Sequence, residues 1–109
     1  MIKQTNKLVR DKIPEIIKNN GGSCITYILD KEKYKKKLIE KICEEISEFE
    51  KDENLEELAD IYTVLEALVK SYGYDMSKVI EKAESKKISN GGFESKIFMI
   101  EYDDGIGTT

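Results

Sequence analysis

The sequence has no histidine, a single arginine (Arg10), a single proline (Pro14) and only two cysteines in 109 residues. Without histidine there is no Ser-His-Asp or Cys-His nucleophile, no His-ligated zinc and no imidazole acid–base chemistry. Catalysis, if any, must run on carboxylates, lysines, tyrosines or a metal. Cys24 and Cys43 stand too far apart for metal-ligand spacing and read as reduced, half-buried small side chains. No apolar run approaches the roughly 20 residues of a membrane span, and the polar start MIKQTNK is not a secretory signal, so no membrane association and a cytoplasmic location are expected. A net charge of −4 argues against nucleic acid as a partner.

What is abundant is acid, and it is concentrated. From Glu44 to Asp60 the chain reads EEISEFEKDENLEELAD, nine carboxylates against one Lys51. Such a density of one sign is costly unless something cationic sits against it. Glu44, Glu45 and Glu48 form an E-E-x-x-E group and Glu57 and Asp60 an E-x-x-D group, each within a run of helical apolar spacing. Residues three or four apart share a helix face, so two facing helices could assemble Glu45, Glu48, Glu57 and Asp60 into a nest for a hard divalent cation, Mg²⁺ or Mn²⁺.

Most Glu-rich helices are merely solvated, and position relative to the core separates the two cases. At about 100° per residue, Tyr34, Leu38, Ile42, Ile46 and Phe49 make an apolar stripe with Glu45 inside its edge and Glu48 just beyond. On the following helix Leu55, Leu58, Ile61, Tyr62, Leu65, Leu68 and Val69 make the stripe, with Glu57 at its border and Asp60 beside Val64 and Ala67. Carboxylates bordering a core need partners. The lysine run Lys31, Lys33, Lys35, Lys36, Lys37 and Lys41 reads as a solvated face.

In chain order, one domain over residues 1–109 is expected, all-α. The spacing predicts a short helix over Asp11–Asn20, capped by Asp11, with Pro14 in its first turn and Gly21-Gly22 as its stop. Two long antiparallel helices follow, from an Asp30 cap to about Lys51 and from about Asn54 to Tyr72, stopped by Gly73. A shorter helix covers about Met76–Ile88, with Met76, Val79, Ile80 and Ala83 inward and Asn90-Gly91-Gly92 as the break. Residues 24–28 and 96–102 are β-prone and could pair as a small ribbon. The tail 103–109 reads as frayed.

These residues carry a resemblance. The E-E-x-x-E and E-x-x-D helix pair is similar to the signature of the MazG-like all-α NTP pyrophosphohydrolase superfamily. NKLVRDKIPEII at 6–17 and NGGFESKIF at 90–98 resemble its small stand-alone branch, the phosphoribosyl-ATP pyrophosphohydrolase-like or house-cleaning enzymes. The similarity runs from about residue 6 to 102; the eight residues between Glu48 and Glu57 are fewer than in many members, so loop contacts are not carried over.

The resemblance implies a helical bundle completed between subunits, hence a homodimer or higher homo-oligomer. It also implies a nucleotide substrate and cleavage between its α- and β-phosphates by water, giving monophosphate and pyrophosphate. Mg²⁺ would be held by Glu45, Glu48, Glu57 and Asp60, with Glu44 or Glu48 accepting the water's proton. Arg10, Lys12, Lys86 and Lys87, which lie in or beside the family-like blocks, are the candidate phosphate contacts. Tyr62, Leu65 and Val69 are the apolar surface that one chain is expected to leave uncovered. Two rival classes are a non-catalytic helical interaction module and a di-iron carboxylate bundle. The latter normally needs Glu-x-x-His pairs, which the absence of histidine removes.

Overall fold

The computed structural model describes residues 1–107. Its helices are α1 (Ile13–Asn19), α2 (Lys31–Lys51), α3 (Leu55–Ser71) and α4 (Met76–Asn90), and among the described residues there is no strand. The all-α class expected from the periodicity is therefore observed. The residues divide into two compact units, Met1–Met76 and a second beginning at Ser77.

In the first unit, α2 and α3 pack against each other across the short link Asp52–Asn54. Both starts are set by local chemistry. The Asp30 side chain accepts from the Lys33 amide at 2.9 Å and the Asn54 side chain from the Glu57 amide at 3.0 Å, each satisfying one of the free donors of a first turn. Gly73 ends α3. At φ +78° it adopts the left-handed conformation, its amide donates to the Lys70 carbonyl, and the Tyr74 amide donates to the Val69 carbonyl. That is the paired-bond stop which glycine permits at low cost.

Leu38 from α2 and Val69 from α3 are the buried apolar residues of this interface. Val69, expected on uncovered surface, is instead packed inside. Around α3 the covered face runs through Glu57, Asp60, Ile61, Val64 and Leu68, whereas Leu55, Leu58 and Tyr62 are exposed. The expected single wide stripe is thus two adjoining stripes, of which α2 covers one. On α2, likewise, Ile46 is exposed.

Several local expectations are corrected. α1 starts at Ile13 rather than Asp11, and Lys12 stands at its cap position with no side-chain hydrogen bond. The Ile13 amide donates to the Arg10 carbonyl at 3.0 Å, so a backbone turn opens α1 where a side-chain cap was expected. Neither segment of the expected ribbon, 24–28 or 96–102, is a strand, and Ile25, Ile28, Ile97 and Phe98 are exposed. Cys24 and Cys43 are both free thiols and both exposed rather than half-buried.

In the second unit, α4 runs to Asn90, where Gly91 at φ +86° stops it. It has no buried residue; of the side chains expected inward, Val79 is half-buried and Ile80 and Ala83 are exposed. The expected frayed tail falls partly on residues 108–109, outside the described residues. No helix among the described residues is long and apolar enough to cross a membrane.

Candidate metal centre

The face of α3 turned to α2 carries acids in its middle. Glu57 and Asp60, one turn apart, look across at Glu45 of α2, and a carboxylate oxygen from each of the three lies within 4.8 Å of the others. Glu45 is 8% exposed, the most buried charged residue described. Its charge is met by Lys41, one turn earlier on α2, at 3.4 Å; the same ammonium lies 3.6 Å from Glu44. Lys41 is therefore not part of a solvated face. Nor is Lys35, whose ammonium sits 4.6 Å over the Tyr72 ring, a cation–π contact.

Among the described residues no cation of this kind meets Glu57. Loss of surrounding water, then the like charges of Asp60 and Glu45, with Glu48 and Asp52 further down, raise its carboxyl above the ordinary value. Glu48 thus lies close enough to be felt at Glu57 but outside the group of three. It is half-buried, with its nearest ion pair to Lys51 at 4.0 Å. Glu44 is the opposite case. Lys7 donates to it at 2.9 Å, and that bond, opposed by desolvation and aided by Lys41, holds its carboxyl below the ordinary range. The same bond raises the Lys7 ammonium.

Arg10 reaches the group from outside the helix pair. Its guanidinium donates to Asp60 at 2.6 Å and to the Thr63 hydroxyl at 3.4 Å, while that hydroxyl donates to the Ala59 carbonyl at 2.9 Å. Beside this pair lies a groove of about 300 Å³, with Val9, Ile13 and Val64 as its apolar wall and Arg10, Lys41, Glu45, Asp60 and Thr63 as its polar one. Lys12 is exposed at the start of α1. Lys86 and Lys87 belong to α4 of the second unit, where Lys87 donates to Glu84 at 3.3 Å.

The donor set suits a hard divalent ion. Mg²⁺ takes oxygens at about 2.0–2.1 Å in an octahedron, which places adjacent ligands roughly 3 Å and opposite ones roughly 4 Å apart. Three carboxylate oxygens within 4.8 Å of one another would have to draw closer to share one such ion. In the sequence Lys41 carries one local signal, its place four residues before Glu45; Lys7 carries only its place in the block NKLVRDKIPEII, and Thr63 carries none.

No protein-family model, curated protein or solved structure matches the chain.

Proposed function

We propose that this chain is a Mg²⁺-dependent nucleotide pyrophosphohydrolase, hydrolysing the bond between the α- and β-phosphates to release monophosphate and pyrophosphate. The observation that carries the reading is the convergence of Glu45, Glu57 and Asp60 from two packed helices, one of them buried. An acidic nest cannot receive a polyphosphate directly; it needs a cation between. Mg²⁺, when bound, neutralises phosphate oxygens, lowers the pKa of water and stabilises the leaving pyrophosphate.

The chain's own residues divide the remaining tasks. Glu45, Glu57 and Asp60 would hold the ion, with the Glu48 carboxylate close by. Of the two candidate proton acceptors, Glu44 is committed to Lys7 and Lys41 and held low, which makes it a poor base. Glu48, only loosely paired, is the better one. Arg10 and Lys12 are the proposed phosphate contacts within this unit, and the groove beside Val9, Ile13 and Val64 offers an apolar surface to the nucleoside. The exposed stripe on α3 supports a homodimer.

A second reading, a non-catalytic interaction module of the same helix pair, draws on one observation: Lys41 and Arg10 already place positive charge on two of the three acids. One assay separates them. Purified protein with a panel of nucleotides and Mg²⁺, its products resolved into pyrophosphate and orthophosphate, should show pyrophosphate; no turnover of any nucleotide would leave the module.

A further inference from the structure

Two cations neutralise the acid group in the chain alone, and they differ in how they are held. Lys41 is on α2 itself, four residues from Glu45, with its side chain only 20% exposed. It cannot leave without uncovering its own stem. Arg10 stands on irregular backbone before α1, its side chain is 57% exposed, and it reaches Asp60 across fifty positions of sequence. Rotation of one side chain returns it to water.

The carboxylate it holds, at 2.6 Å, is one of the three that the metal reading needs. A guanidinium and a divalent ion on one carboxylate would repel each other at close range. We propose that Arg10 is an exchangeable internal counter-ion: it holds Asp60 in the metal-free chain, and divalent metal binding displaces it. This rests on the metal reading of the carboxylate group and assigns that group a regulation of its own.

Two consequences follow. The segment does not detach when Arg10 leaves, because Lys7 remains bonded to Glu44 at 2.9 Å; the released guanidinium stays beside the ion, where an anion can meet it. By linkage, an anion that takes the guanidinium away from Asp60 tightens metal binding by the same factor as metal tightens the anion. Phosphate and metal therefore load cooperatively.

Arg10 is the only arginine in the chain, so its Nε–Hε group gives a single, self-assigned side-chain resonance. The full chain is titrated with Mg²⁺ alone while that resonance and the backbone amides of Glu45, Glu57 and Asp60 are followed. The expected result is one saturation curve for all of them, the arginine signal moving to its free position. In parallel, Arg10→Gln should tighten Mg²⁺ about two- to fivefold, the range expected for an exposed ion pair. Loss of positive charge alone could also tighten the ion, so the resonance decides. An arginine signal that stays fixed while the amides saturate overturns the displacement and leaves the metal site standing. Amides unresponsive at every Mg²⁺ concentration overturn both.

Discussion

The Lys41 ammonium lies 3.4 Å from the Glu45 carboxylate, one helical turn away and with both side chains largely covered. Removing the lysine leaves a buried charge without its partner, which costs about 1–3 kcal/mol. Lys41→Met is therefore expected to lower the melting temperature. Because a bound cation neutralises the same carboxylate, Mg²⁺ should raise it more in Lys41→Met than in wild type. Thermal unfolding with and without Mg²⁺ measures both. In Glu45→Gln/Asp60→Asn the Mg²⁺ effect should vanish; an equal rise there would place the ion elsewhere.

Glu57 supplies a pH dependence of unusual sign. Its carboxyl is raised by desolvation and by Asp60 and Glu45, so between the ordinary glutamate value and the raised one the folded chain binds more protons than the unfolded chain. Stability then falls as pH rises through that window. Glu44, lowered by Lys7, acts the other way: its contribution is present above the ordinary glutamate value and is lost as pH falls through its depressed one. Urea unfolding across the acid range should show the fall above the ordinary value in wild type and its absence in Glu57→Gln. An unchanged profile in Glu57→Gln would mean that Glu57 does not carry it.

The α3 stripe of Leu55, Leu58 and Tyr62, exposed and at helical spacing, is expected to be covered by a second copy, with two-fold pairing as the default geometry. Light scattering at micromolar concentration should give a dimer mass, and Leu58→Asp should shift it towards monomer. A monomeric wild type that turns over nucleotide would confine the whole site to one chain.

What could be read from the sequence was what depends on neighbours along a helix. Asp30 as a cap, Gly73 as a stop and the placing of Glu45 within the apolar stripe all follow from spacings of three or four residues, and all are observed. Glu57 lies within the covered face rather than at its border because the apolar residues of α3 form two stripes instead of one. The ion pairs of Lys7 with Glu44 and Arg10 with Asp60 span 37 and 50 positions. They depend on how an irregular segment lies over the helix pair, and no periodicity encodes that. The β-prone residues of 24–28 and 96–102 state only a preference, and neither segment is a strand.

The most direct measurement is single-enzyme turnover of a nucleoside triphosphate in Mg²⁺, with pyrophosphate and orthophosphate resolved, for wild type, Glu45→Gln, Glu57→Gln and a Lys36→Ala control on the exposed lysine run. Each amide keeps the shape of its side chain and removes one charged oxygen ligand. Wild type and Lys36→Ala should release pyrophosphate at similar rates, and each amide variant should fall by about a hundredfold or more. Near-native pyrophosphate release by both Glu45→Gln and Glu57→Gln would contradict the metal-site account and leave the three carboxylates as a structural feature of the helix pair.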